Sequence, residues 1–404
     1  MKKIIVIGGG ASGFFTAINA KEINPKLDIT ILEKGKEVLQ KVRISGGGRC
    51  NVTHACFDPK ELVKFYPRGE KELLGPFHQF MTSDTFDWFD KNGIPLKIED
   101  DNRVFPQSNT SQTIINCFIE KTHQLKIPVL TNHGVVSIKK KKDQWIVFTK
   151  HQEFVCDGIV MAAGSSKKVW ELSTSLGHTV VPPVPSLFTF NINDLRIKDL
   201  SGISVPNATV KLLDKKLEAL GPLLITHWGM SGPAILKLSA FGARILAEKN
   251  YEYEVVVNWL SRPTDQIATV LFNLKKKHSK KQVIIRSPFK VIPKRLWEQF
   301  VIFSQIKPTS NWADLSYEQI ENLAHQLTKS VFKAKGKSTF KEEFVTAGGI
   351  DLKEINFKKF ESRIHDHLYF IGEVLNIDAV TGGFNFQNAW TGAWICAKAI
   401  AEKN

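Results

Sequence analysis

Val6-Ile7-Gly8-Gly9-Gly10-Ala11-Ser12-Gly13 follows a short apolar run, Lys3 to Ile7, and opens a helix-like stretch that reaches about Glu22 before Pro25. The run is rich in β-branched residues and predicts a buried strand. In the spacing Gly8-x-Gly10-x-x-Gly13, the first glycine permits a tight turn and the second lets backbone approach a pyrophosphate. The third lets helix and strand pack closely. The helix start offers free N–H groups and a positive dipole end to phosphate. A second strand, Asp28 to Leu32, ends at Glu33, twenty positions after Gly13. An acidic side chain there accepts hydrogen bonds from ribose hydroxyls and disfavours a 2′-phosphate. The segment is the opening βαβ unit of a doubly wound fold that takes FAD or NAD, not NADP.

Two further glycine-rich segments point to a flat ligand. Lys41 precedes Ser45-Gly46-Gly47-Gly48-Arg49-Cys50-Asn51, where successive glycines allow close backbone approach and Arg49 adds a cation. Near the other end, Leu368 to Ile371 predicts a strand running into Gly372-Glu373, and Thr381-Gly382-Gly383-Phe384-Asn385 opens a last helix to Glu402. A helix N-terminus there would stabilise the negative charge of a reduced flavin.

Between these ends the pattern changes. Val129 to Thr149 shows short alternating runs on either side of Lys139-Lys140-Lys141-Lys142, the expected tip of a hairpin. With Phe154 to Cys156 it predicts an antiparallel meander. Gly158 to Ala162 is a buried strand, and Pro182, Pro183 and Pro185 mark a boundary. A strand-rich stretch to about Leu260 contains one expected helix, Ser231 to Lys249, with Ser231 as N-cap and Pro233 in the first turn. Helices are expected near 265–277, 294–303 and 316–329. The expected organisation is a first part of the nucleotide domain over 1–190, an inserted β-rich subdomain over 191–262, a helical subdomain over 263–335, and the second part of the nucleotide domain over 336–404.

The chain has 404 residues, a net charge of +15 and 5 cysteines at irregular spacing. Its length suggests two or three domains. The odd cysteine count fits a reducing compartment, and glycines interrupt the apolar N-terminal run, which argues against a signal peptide. A cytoplasmic protein with no membrane span is expected. The positive charge favours acidic partners, but scattered lysines fit a solvated surface better than nucleic-acid binding.

The sequence resembles the YhiN-like or HI0933-like (aminoacetone-oxidase-like) family of bacterial NAD(P)/FAD-dependent flavoproteins. The resemblance rests on Val6 to Gly13, Ser45 to Thr53 (SGGGRCNVT), Arg103 to Pro106, Thr226 to Leu236 (THWGMSGPAIL), Val345 to Ile350 and Gly372 to Ala389. It implies an α/β fold with a Rossmann-like FAD-binding doubly wound domain, an antiparallel β-meander, an inserted β-rich, barrel-like subdomain and a helical subdomain. It implies FAD held by Gly8, Gly10, Ala11, Ser12, Gly13, Glu33, Lys34, Lys41, Ser45, Gly46, Arg49, Cys50 and Asn51. Val135 is expected to meet the adenine through its backbone, Ala163 and Gly164 to line the pyrophosphate side, and Gly372, Glu373, Gly383, Phe384 and Asn385 to close the site. The sequence departs from the family pattern at Ser165 to Trp170, where lysines and a tryptophan replace a small-residue loop, and at Asn376 and Ala379, where Asp and Gly are commoner.

Flavin N5 carries the hydride chemistry, so the protein needs positioning and a proton donor. His227 is a candidate donor or a structural loop histidine. Arg103 is a carboxylate or flavin clamp, or an ordinary surface arginine. Thr346, beside Gly348-Gly349, is a candidate for proximity to flavin or substrate. Cys50 and Cys56 have five residues between them, one more than the spacing of a disulfide reductase, and Gly336-Lys337-Ser338 lacks the upstream glycine of a P-loop. No metal site is expected. No second glycine fingerprint exists, so NAD(P)H would be a transient donor. The expected function is an FAD-dependent oxidoreductase acting on a small organic substrate, by NAD(P)H-linked reduction or by amine-type oxidation. The alternatives are an FAD-dependent tRNA-modifying enzyme and a flavin-binding redox sensor.

Overall fold

β1 (Lys3–Ile7) is buried at every position after the first, the mark of a parallel strand covered on both faces. In the computed structural model, which describes residues 1–338 and 345–402, it pairs in parallel with β2 (Asp28–Leu32) on one side and with Gly158–Met161 on the other. The full sheet has seven strands in the order 355–356, 361–362, 368–370, 158–161, β1, β2, 129–130. Chain order reverses at β1, so a crevice opens beyond its C-terminal end. α1 (Ala11–Ile23) starts there and is buried from Ser12 to Ala20.

The chain divides into two units, Met1–Val184 with Val345–Asn404, and Pro185–Phe344. In the first unit the C-terminal segment completes the sheet. Leu368–Phe370 pairs in parallel with Gly158–Met161. The last helix, Phe384–Glu402, lies against α1, where Thr16 Oγ1 donates to Ala393 O at 3.4 Å. Phe15 packs 5.2 Å from Trp390 and 4.6 Å from Trp88. A three-stranded antiparallel sheet, 135–141, 144–149 and 153–156, forms the meander. Two details differ from expectation. Val129–Leu130 joins the main sheet beside β2. The lysine run is not the hairpin tip: Lys139 to Lys141 extend the strand, and the turn falls at Lys142 and Asp143. The run tolerates a strand because it lies at the exposed end of the hairpin, with Lys140 over Trp145 and Lys139 over Phe148.

The second unit is a closed six-stranded antiparallel barrel, in the order 189–192, 229–231, 218–226, 204–212, 252–258, 330–338. Helices Thr264–Lys277, Lys294–Phe303 and Tyr317–Thr328 share one hydrophobic core with it, around Trp259, Trp297, Phe300 and Leu323. The strand that closes the barrel follows these helices in the chain. The expected helix Ser231–Lys249 is two helices, Pro233–Phe241 and Ala243–Glu248, meeting at Gly242. A Cβ there would stand 2.8 Å from Leu217 Cδ2, so the chain bends where it has no side chain. The N-cap is Gly232, at φ 91°, rather than Ser231. Ser231 Oγ instead accepts from Thr189 Oγ1 at 3.0 Å on the adjacent barrel strand.

In the first unit His178 is buried between two partners, with Nδ1 2.9 Å from Glu354 Oε2 and Nε2 3.0 Å from Ser362 Oγ. A neutral imidazole fits both, donating from Nδ1 and accepting the serine hydroxyl at Nε2. Desolvation lowers the His178 pKa from its ordinary 6.5, opposed by Glu354. A histidine lowered on folding takes up its proton more readily when unfolded, so its stabilising effect holds above about pH 6.5 and is lost as pH falls below it. Thermal melts should therefore drop between pH 7.5 and 5.5, and His178→Gln should flatten that part of the profile. An unchanged slope in the variant would assign the pH dependence elsewhere.

Candidate functional site

The crevice beyond β1 is shaped by three glycines with different surroundings. A Cβ on Gly8 would stand 2.6 Å from Ala162 O, and one on Gly13 would stand 2.1 Å from Gly8 O. Both are required by contact of the chain with itself. Gly10 has nothing within 4 Å of its Cβ position and leaves an open approach to the start of α1. No acidic residue occupies that first turn, so its amides are available to an anion. Glu33 is held beside the turn, with Oε2 accepting from Gly9 N at 2.8 Å and Oε1 from Gly35 N at 2.7 Å. Each carboxylate oxygen keeps acceptor capacity for a ribose hydroxyl. His133 N donates to Glu33 O at 2.8 Å, which sets Val135 close by at the start of its strand. The Gly134 Cβ position is 3.3 Å from Lys34 Cβ.

The other predicted segments converge on this turn. Leu39 N donates to Gly9 O at 2.8 Å and starts α2 (Gln40–Gly48). Inside α2, Ser45 leaves helical geometry and Gly46 and Gly47 take positive φ. Lys41 forms an ion pair with Glu373, 332 residues away. The Cβ position of Gly372 is 3.2 Å from Ser12 Oγ, and that of Gly164 is 3.6 Å from Glu373 Oε2. Ala163 follows Ala162, against which Gly8 packs. With its amide oriented to suit its neighbours, Asn51 donates to Val104 O and Thr53 O and accepts from Gly383 N at 3.0 Å. Phe384 stacks on Phe65 and His54, and Asn385 accepts from Ala379 N at 3.0 Å. The loops at the two ends of the sequence thus form one rim.

Several candidates have other engagements. Arg49 pairs with Glu99 at 2.6 Å and stacks 3.9 Å from the Phe105 ring centroid, so its charge is already compensated. Arg103 pairs with Asp101 at 2.7 Å. Ser45 Oγ donates to Val42 O. Cys50 is fully buried, and burial pushes its thiol up to about 12, which makes it a poor nucleophile. Neither Cys50 nor Cys56 is in a disulfide. Thr346 lies in the wholly buried strand Val345–Ile350, and the glycines beside it make room for the chain itself. A Cβ on Gly348 would stand 2.6 Å from Pro183 Cα, and one on Gly349 would stand 2.6 Å from Val374 O. His227 is exposed in the second unit, beside Asp194, Lys198 and Asp199 in a surface groove.

Three features were not foreseen. His54 follows the glycine cluster, stacks 4.5 Å from Phe384, and has a buried Nδ1 with no hydrogen-bond partner; burial lowers its pKa. Its ring lies beside Phe384 and 3.4 Å from the Cβ position of Gly382. Trp170, in the segment that departs from the family pattern, donates from Nε1 to Val374 O at 3.0 Å and ties Lys167–Ser175 to the rim. Arg68 and Asp378 form a bidentate ion pair, with Asp378 wholly buried. Single charges 310 positions apart give no local signal of such a pair. Among the described residues no group of three or more His, Cys, Asp or Glu side chains could hold a metal ion, and no helix is long and apolar enough to cross a membrane.

Comparison with known proteins matches residues 2–399 to the family described as the HI0933-like protein Rossmann domain. The 3-dehydro-bile acid delta(4,6)-reductase of Clostridium scindens is 26% identical, with 100% of each chain aligned. The ribosomal RNA dihydrouridine synthase of Haemophilus influenzae is 27% identical over 99% of this chain and 98% of its own. Among solved structures, the 3-ketosteroid-delta4-(5alpha)-dehydrogenase of Rhodococcus jostii RHA1 shares the fold with a TM-score of 0.53. It is 11% identical, over 100% of this chain and 97% of its own.

The Arg68–Asp378 pair fixes the loop that leads to the last helix. Removing one partner of a buried ion pair costs about 3–5 kcal/mol. Asp378→Ala should lower unfolding free energy by that order in urea denaturation, and the apolar double replacement Arg68→Met with Asp378→Leu should cost less. A neutral Asp378→Ala would show that the pair is not what holds the loop.

Proposed function

The chain belongs to the HI0933-like family, and from that premise we propose that it is an FAD-dependent reductase of ring carbon–carbon double bonds conjugated to a carbonyl. NAD(P)H is the electron donor in this reading. The observation that carries it is the open approach at Gly10, with the free first turn of α1 ahead of it and Glu33 beside it. That combination fits a dinucleotide pyrophosphate and an adjoining ribose. α1 would hold the pyrophosphate, Glu33 the ribose, and Val135 the adenine through its backbone. The Lys41–Glu373 pair, Gly46 and the start of the last helix would border the flavin. When bound, FAD supplies hydride transfer at N5.

The named activities of the full-length relatives support the reaction class. A delta(4,6)-reductase acts on ring double bonds, and dihydrouridine is uridine with two hydrogens added across its ring double bond. Such a reduction places a hydride on the carbon β to the carbonyl, or δ to it where a second double bond extends the conjugation, and a proton on the adjoining carbon. His54, lowered by burial, would be neutral near pH 7 and would take up and return a proton only weakly, so solvent or substrate-side groups share that task. Amine-type oxidation is the competing chemistry on the same fold.

Two measurements test this. Anaerobic NADPH or NADH should bleach the flavin bands, and a 4-en-3-one steroid or a uridine-containing RNA should restore them with a product two mass units heavier. Bleaching by primary amines instead, with none by NADH or NADPH, would establish the oxidase chemistry. Gly10→Val should keep the apoprotein fold by circular dichroism yet retain at least tenfold less FAD, because its side chain enters the approach to α1. Full FAD retention by Gly10→Val would remove that turn from the cofactor site.

A further inference from the structure

The second unit carries most of the charge: residues 185–344 account for +10 of the net +15. Within it, residues 266–297 contain nine lysines and arginines and no aspartate or glutamate. The helix Thr264–Lys277 runs into a segment pinned along residues 310–313, with Trp312 N donating to Lys281 O at 3.0 Å and Val283 N to Ser310 O at 3.1 Å. Val283 is buried, and its carbonyl accepts from Trp297 Nε1 at 2.8 Å. Ile292 and Trp297 anchor the far end in the core.

This fixed backbone presents Lys276, Lys277, Lys280, Lys281, Arg286 and Lys290, all exposed. Among the described residues none of the six forms an ion pair. Some lysines elsewhere in the unit do have partners: Lys249 pairs with Asp214 at 2.5 Å, Lys333 with Glu254 at 3.7 Å and Lys335 with Glu252 at 3.8 Å. On the barrel, Lys333 and Lys335 face carboxylates on the neighbouring strand. On this segment six like charges follow one another with no ion-pair partner among the described residues, and like charges gathered in this way favour a polyanionic partner.

We propose that the 276–290 segment is a docking surface for the phosphate backbone of RNA. Long flexible lysines suit phosphates as point charges and carry no base specificity by themselves. The surface would therefore position an RNA and leave sequence selection to other contacts. This goes beyond the reductase reading and does not rest on it, since binding is measured with oxidised protein and needs no turnover.

The test is fluorescence polarisation of the full-length protein with a labelled RNA hairpin, from 50 to 300 mM KCl. Six phosphate contacts predict a slope of log affinity against log salt of about −4 to −5. The variant carrying Lys276→Gln, Lys277→Gln, Lys280→Gln and Lys281→Gln should bind at least tenfold more weakly at 100 mM KCl, with the slope reduced by about 3 to 4. The barrel variant Lys333→Gln with Lys335→Gln should remain within about twofold. Equal losses in both variants would make the binding a general effect of net charge and overturn the assignment. So would RNA affinity that does not change with salt, or binding to phosphatidylglycerol vesicles without binding to RNA. Circular dichroism of the quadruple variant guards against misfolding. Anaerobic bleaching by NAD(P)H, followed separately, reports on the reductase reading, so either can fail alone.

Discussion

The contact of Gly13 with the carbonyl of Gly8 is the constraint on which the rest of the first unit depends. At 2.1 Å from that oxygen there is no space for a Cβ, so only glycine lets α1 leave β1 at this angle. Gly8 must in turn lie against Ala162 at the end of the neighbouring strand. The two contacts lock helix, turn and sheet together, and Gly10 is what remains open between them. Its accessibility follows from the tightness of its neighbours, which is why three glycines in one motif do three different jobs.

The same corner gathers the distant parts of the chain. Leu39 joins Gly9 through a backbone hydrogen bond, Gly372 approaches Ser12, and Lys41 meets Glu373. Residues from the first fifty and the last thirty-five positions thus form one rim, while the barrel and its helices are spliced between them. The last helix completes the unit through the aromatic packing of Trp390 on Phe15. Much of the specific geometry is then held by polar ties: Asn51 to Gly383, Asn385 to Ala379, Arg68 to Asp378.

Where local rules governed, the sequence was legible. The βαβ opening, the helices 264–277, 294–303 and 317–328, and the last helix follow from periodicity and glycine spacing, and the family was read from the resemblance of the quoted motifs. What was not legible has a common cause, namely partners remote in sequence. Gly348 and Gly349 looked like ligand space and instead admit Pro183 and Val374. Arg49 looked like a cation for the ligand and is matched by Glu99 and Phe105. Gly242 breaks a helix because Leu217 presses on it. The lysine run 139–142 misled, since three of its four residues are strand and only Lys142 is in the turn. His54 could have been suspected from its place two residues after Val52 in the glycine-rich stretch, but its stacking on Phe384 required the fold.

The central claim is that this crevice holds FAD. The most direct measurement is release of the bound nucleotide from purified protein by acid, followed by chromatography of the supernatant. The account predicts FAD in a ratio close to one per chain, or uptake to that ratio when FAD is added to the apoprotein. A colourless protein that takes up no FAD, or one that carries FMN instead, would contradict it, because neither outcome uses the pyrophosphate and ribose positions at Gly10 and Glu33.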